Sequence, residues 1–332
     1  MSSLELYYAI KPLIPRKIQL MLRRLMIRSM LPSCKDVWPI CQQAGNAPEG
    51  WTGWPQGRQF ALVLTHDVDT ARGQERCSKL VEIEERLGFR SAIYFVPERY
   101  SVWTDLRRDL TSRGFEVGVH GLNHDGKLYE SKGKFQKRAA RINQYLEQWQ
   151  CSGFRSPAMH HNLDWLGLLD IEYDASTFDT DPFEPQPDGV QTIFPFWVPR
   201  KEGTEGYIEL PYTMPQDSTL FNLMKEKGIG VWRKKLDWIA QCGGMALLIT
   251  HPDYMAFDGR TERETYPVER YAELLRYIKD KYEGQYWHAL PREAAGFWLK
   301  QPDHSEEFTM PFSRSTITSE TKVEQDCGHR AS

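Results

Sequence analysis

The chain has 332 residues, a formal net charge of −3, and charged and hydrophobic shares of 26% and 40%. That length allows one large domain or two ordinary ones, and the composition excludes disorder as the main state. The near-balanced charge excludes a nucleic-acid footprint across the whole protein.

The first stretch departs from that balance. Residues 4–30 carry Lys11, Arg16, Lys17, Arg23, Arg24 and Arg28 against the single acid Glu5. Among them Ile18, Leu20, Leu22, Leu25, Met26 and Ile27 fall irregularly around a helix. The arginines exclude a membrane span of roughly 20 apolar residues, and no apolar centre with a small-residue cleavage site marks a signal peptide. Two readings stay open. A basic amphipathic helix would rest peripherally on an anionic membrane face, whereas a helix packed on the domain's flank would simply solvate its charges. A cytoplasmic location is expected, with Cys34, Cys41, Cys77, Cys151, Cys242 and Cys327 as free thiols, because they are scattered and form no CxxC.

Residues 48–57, with Trp, Gly and Pro, read as a linker that closes an N-terminal segment 1–57. A catalytic domain is expected over 58–300, and a disordered tail rich in Ser, Thr and Glu over 301–332. Within the domain, strands are predicted at 60–65 (FALVLT), 91–96, 115–119, 153–155, 171–173, 207–210 and 245–250 (MALLIT). Helical segments are predicted at 74–87, 104–113, 134–149, 164–169, 220–227, 232–241, 267–282 and 291–298. Nearly uniform apolar strands alternating with helices indicate an α/β fold with a parallel sheet covered on both faces. Units of this length suit a (β/α) barrel, with a doubly wound sheet as the alternative.

Position singles out the chemistry. FALVLT runs into His66-Asp67-Val68-Asp69, FEVGV into His120-Gly121-Leu122-Asn123-His124, GFR ends at Arg155, IEY leads to Asp174, and MALLIT reaches His251. Such clusters sit at C-terminal strand ends, where α/β enzymes place their catalytic groups. In an extended backbone Asp67 and Asp69 share one side, and His66 faces away as a packing or orienting residue. Two neighbouring carboxylates invite a division of labour, one on a metal and one free as a base. His120 and His124, four residues apart, complete a two-histidine, one-carboxylate site with positions open for water and substrate. The same ligand set serves non-haem iron oxygenases, whose HxD spacing on a β-rich fold is not present here.

In this order, Thr65-His66-Asp67-Val68-Asp69, His120-xxx-His124, Arg155-Ser156-Pro157, Asp174 to Asp179 and Leu248-Ile249-Thr250-His251 resemble the five motifs of the polysaccharide deacetylase family, carbohydrate esterase family 4, NodB-like. The resemblance implies a distorted or incomplete (β/α) barrel that removes acetyl groups from N-acetylated sugars with a divalent metal, zinc foremost. It implies Asp69, His120 and His124 as metal ligands, Asp67 as catalytic base, Arg155 as its positioning partner, His251 as general acid, and Asp179 as the acid that tunes His251. Pro157, His161, Phe178 and Tyr212 are the candidate substrate-binding residues, the aromatic ones by stacking on sugar rings; ordinary loop packing is the alternative. The chain departs from the family at Gly121, in place of Ser or Thr, at Ala158-Met159, and at Thr180, in place of Trp.

The resemblance points to an N-acetylated glycan as partner, of a polysaccharide or a lipid-linked precursor, and the basic N-terminal segment motivates the expectation of a lipid-linked sugar trimmed at the cytoplasmic membrane face during exopolysaccharide assembly. Two alternatives stand beside it: a same-fold hydrolase of a small cyclic amide or imine, and a non-catalytic glycan-binding protein of polysaccharide assembly.

Overall fold

The computed structural model describes residues 16–200, 205–262 and 264–301, so the expected tail lies outside the described residues apart from Gln301. The described chain opens on helix α1 (Arg16–Met30). Strand–helix units follow: β1 (Phe60–Val68), α2 (Ala71–Leu87), β2 (Ala92–Phe95), α3 (Thr104–Ser112), β3 (Glu116–His120), α4 (Lys132–Trp149) and β4 (Gly153–Arg155). A short α5 (Leu163–Leu166) precedes β5 (Tyr173–Asp174), β6 (Phe196–Pro199) and β7 (Gly206–Glu209). The last part holds α6 (Gly230–Cys242), β8 (Met245–Thr250), β9 (Met255–Ala256), β10 (Tyr266–Pro267), α7 (Glu269–Tyr282), β11 (Tyr286–His288) and α8 (Pro291–Leu299).

Local chemistry sets several boundaries. Ser131 caps α4 by accepting the Lys134 N–H. Gly88 ends α2 in the left-handed conformation (φ 83°), returning its N–H to the Glu84 and Glu85 carbonyls.

Among the described residues, nine strands form one sheet in the order β11-β1-β2-β3-β4-β5-β7-β6, with β8 also paired to β1, while β9 and β10 pair with each other. Only β6–β7 is antiparallel. β1 is the hub. One edge pairs with β8 from Ala61↔Met245 to His66↔Thr250, and the other is shared between β11 and β2. Beyond β7, Tyr212 bridges to Phe178 and Met214 to Leu248, while the Thr213 and Met214 N–H groups reach the Leu247 carbonyl. The sheet thus curls into the incomplete (β/α) barrel of polysaccharide deacetylases, and its open side is joined to β8 by an isolated bridge rather than a ladder.

Several elements differ from the sequence expectation, each for a local reason. β1 runs past its apolar stretch to Val68, because His66 and Asp67 find buried polar partners. Residues 218–224 form a π-helical turn instead of the first part of an α-helix over 220–227. β6 and β11 are too short to show alternation, and β6 ends in a proline. The segment expected as a linker is packed: Trp51 stacks on Trp298 with ring centroids 4.8 Å apart, and Trp54 Nε1 donates to the Gly243 carbonyl at 2.7 Å.

Helix α1 lies on the flank of the barrel. Ile27 is buried, with Leu20 and Met30 packed on the core beside it, and Arg24 Nε donates to the Asn222 carbonyl at 3.0 Å. Ile18, Met21, Leu22 and Leu25 face out. The irregular apolar pattern is therefore two faces on one helix. No helix among the described residues is long and apolar enough to cross a membrane. Among the described cysteines, Cys34, Cys41, Cys77, Cys151 and Cys242 are free.

Candidate active site

Three parallel strands end at the site, β1 on one side of β2 and β3 and β4 on the other. β1 delivers Asp67 and, just beyond it, Asp69; β3 delivers His120; β4 delivers Arg155. Donor atoms of Asp69, His120 and His124 all lie within 4.8 Å of one another. His124 Nε2 is 3.0 Å from Asp69 Oδ1, and His120 Nε2 is 3.5 Å from the same oxygen. Yet Asp69 Oδ1 is buried and accepts no hydrogen bond. A buried carboxylate oxygen is costly to leave unpartnered, and two imidazole nitrogens converge on it. That donor set fits a divalent cation.

The surrounding chain supports the triad. His120 Nδ1 donates to the Arg155 carbonyl at 3.1 Å, which leaves Nε2 free to ligate. Gly121 lies in the left-handed region (φ 61°), and a Cβ there would fall 2.5 Å from the Pro157 ring, so the departure at this position has a steric cause. His124 itself adopts φ 53°, in the left-handed region that histidine enters more readily than most non-glycine residues. The Asp69 N–H donates to Asp253 Oδ2 at 3.0 Å, and the Thr70 hydroxyl bonds to Oδ1 of the same residue. Gly73 makes room for that carboxylate, since a Cβ there would lie 2.1 Å from it. Burial pushes the Asp69 carboxyl up, but the histidines, His124 first, more than offset it and hold it well below the usual range.

Asp67 faces a different partner. The wholly buried Arg155 donates from Nη1 to Asp67 Oδ1 at 3.0 Å and to Thr65 Oγ1 at 2.8 Å, and from Nε to the Ala175 carbonyl at 2.9 Å. Its guanidinium also lies 4.6 Å over the Tyr94 ring. Burial alone would raise Asp67, but Arg155, with His120 and His251, reverses the direction and keeps the carboxylate ionised. His66 faces away from the site, as its place in the strand predicts, between Thr250 Oγ1 at 2.7 Å and Glu84 Oε1 at 2.9 Å.

His251 follows β8, and its partner corrects the sequence reading. Asp179 is not beside it: that carboxylate forms a buried ion pair with Lys235 Nζ at 2.5 Å. The acid at His251 is Asp217. Its Oδ1 accepts from His251 Nδ1 at 2.7 Å and from the Ser218 N–H at 2.7 Å, and its Oδ2 from the His251 N–H at 2.8 Å and Tyr266 OH at 2.9 Å. Burial would depress the imidazole, but the Asp217 carboxylate outweighs it, and the His251 pKa is pushed up to about 10. The only sequence sign of Asp217 is its place before a helical stretch, where an Asp reads as a cap.

These residues open on a cleft of about 550 Å³, within the range of roughly 300–1,000 Å³ usual for small-molecule sites. Asp67, Asp69, His120, His124 and His251 line it, whereas Pro157, His161, Phe178 and Tyr212 do not. Phe178 and Tyr212 are buried bridge partners with ring centroids 5.3 Å apart, Pro157 packs beneath Gly121, and His161 Nδ1 bonds to the Met159 carbonyl at 2.9 Å. In their place the wall is built by Ala158, Met159, Glu184, Asn222 and, from α1, Leu20 and Arg23. Glu184 Oε1 accepts from Gln216 Nε2 at 2.7 Å and from Tyr212 OH at 3.0 Å. Burial, with Asp181 beside it, pushes its pKa up to about 8.

Searched as a sequence, the chain matches no family model and no curated protein. Its fold matches solved structures. A protein from Mycobacterium smegmatis described as a polysaccharide deacetylase superposes with a TM-score of 0.61 at 17% identity, covering 82% of this chain and 100% of that one. PuuE allantoinase gives 0.58 at 15% identity, covering 75% and 94%. A Pseudomonas aeruginosa protein described as a polysaccharide deacetylase gives 0.55 at 14% identity, with coverage of 75% and 94%. The chain has the polysaccharide deacetylase fold.

Proposed function

We propose that the protein is a hydrolase that removes acetyl groups from N-acetylated sugars of a polysaccharide or a lipid-linked glycan. The observation that carries this reading is a pair of proton-transfer groups in opposite states, Asp67 held ionised and His251 held protonated, sharing one cleft with the donor triad. Asp69, His120 and His124 would hold a divalent metal, zinc by the nitrogen-rich donor set. When bound, the metal polarises the acetamide carbonyl and eases deprotonation of water.

The chain's own residues do the rest. Asp67 accepts the proton of the attacking water, and Arg155 fixes its carboxylate and keeps it ionised. His251, with Nδ1 tied to Asp217, turns Nε2 to the cleft and protonates the departing nitrogen as the C–N bond breaks. Acetate and a free amine leave. Glu184, which keeps its proton at neutral pH, and Asn222, whose buried Oδ1 has no partner, supply a donor and an acceptor for sugar hydroxyls.

The test is acetate release by zinc-loaded protein from a panel of N-acetylated sugars, with chelated protein and Asp67→Asn as controls. Metal-dependent release that disappears in Asp67→Asn is the expected result. A second reading, hydrolysis of a small cyclic amide, is favoured by the likeness to an allantoinase. Cyclic amides therefore belong in the same panel, and turnover of these without acetate release would replace the first reading.

A further inference from the structure

Helix α1 has two apolar faces, and the barrel uses only one. Leu20 and Arg23 turn into the cleft wall and Ile27 into the core. On the opposite side Ile18, Met21, Leu22 and Leu25 repeat at helical spacing and stay 43%, 47%, 38% and 54% exposed. Leu31 and Val37 extend the apolar surface beyond the helix, at 37% and 41%. At 100° per residue, Lys17, Arg24 and Arg28 fall along one edge of this stripe, and Lys17 and Arg28 are exposed. The helix has no acidic residue.

We propose that this outer face docks on an anionic lipid bilayer, with the apolar stripe entering the headgroup boundary and the basic edge facing lipid phosphates. Charge selects this occupant. On the helix, an apolar stripe with a cationic border and no carboxylate suits an interfacial helix on anionic lipid, whereas a second copy of the same face would bring like charges together. The placement has a functional side. Because α1 is also a wall of the cleft, the bilayer surface lies one helix diameter, about 10–12 Å, from the substrate. A sugar carried on a membrane lipid is within reach at that distance.

The experiment is co-sedimentation of the full chain with vesicles of phosphatidylcholine alone and of phosphatidylcholine and phosphatidylglycerol in equal parts. The expected result is binding to the mixed vesicles only, weakening as salt rises, with Leu22→Glu/Leu25→Glu reducing partition by about tenfold or more. Both residues are exposed and outside the catalytic groups, so thermal unfolding and turnover of a water-soluble substrate should stay unchanged, which separates this test from that of the reaction. Absence of binding to mixed vesicles, or binding indifferent to the double substitution, would overturn the proposal. So would a dimer in light scattering that the same substitution dissolves, since a second copy would then be the occupant.

Discussion

His251 owes its protonation state first to Asp217, with Asp69 and Asp67 adding to the same direction, which gives the site a measurable signature. With Asp217 in place its pKa lies near 10, so the acid form persists through neutral pH and is lost only on the alkaline side. Asp217→Asn removes the charge but keeps the shape, and the alkaline limb of kcat/KM should move to lower pH by about one unit or more. An unmoved limb would remove Asp217 from the mechanism. Asp179→Ala should behave differently: it strands the buried Lys235 charge and costs about 3–5 kcal/mol of stability, read by denaturant unfolding, without shifting that limb. Asp67→Asn should abolish turnover while zinc stoichiometry, read by metal analysis, stays at the wild-type value. The sequence made Asp67, Asp69, His120, His124, Arg155 and His251 visible because each sits at or just past a strand end, where local order alone fixes its address. Asp217 was hidden because it meets His251 from 34 residues earlier, across the π-helical turn, α6 and β8, a pairing that no local residue pattern encodes.

At the scale of elements, α1 belongs to the site as well as to the flank. Arg23 lines the cleft and donates from Nη2 to the Phe183 carbonyl at 3.4 Å, while its Nε is buried without a partner. An arginine in the cleft wall with one donor left unpaired argues for a substrate contact. Arg23→Ala is expected to raise KM by about tenfold and leave kcat within a factor of about two, measured by steady-state kinetics. A change in neither would make Arg23 a packing residue. The sequence revealed the strand–helix alternation from residue 60 onward, because buried parallel strands are long apolar runs. It left out β6 and β11, which are too short for a period, and the inner contacts of α1, whose two apolar faces cancel each other's periodicity.

At the scale of the whole molecule, the barrel interior carries its own pH dependence. Asp174 on β5 stands opposite Glu209 on β7, both wholly buried. Burial and the mutual charge push Glu209 well above its ordinary 4.5, so the pair holds a proton between its carboxyls. Above about pH 4.5 the unfolded chain releases that proton while the folded chain keeps it, so this pair makes stability fall as pH rises toward the folded pKa. Glu209→Gln should flatten the decline, seen as a smaller drop in Tm between pH 5 and 8 than in the wild type. An identical slope would show that the pair shares no proton. The hub position of β1 has a consequence in time. The strand that carries Asp67 is among the first of the barrel to leave the ribosome, yet its partner β8 lies 184 residues later, His66 to Thr250. At roughly 5–20 residues per second, the nascent chain waits on the order of ten to forty seconds with this apolar strand edge unpaired. Throughout that interval Asp67 and Asp69 exist without His251, so a truncated or stalled product would hold part of the cleft's polar cluster beside an exposed strand, open to holding chaperones.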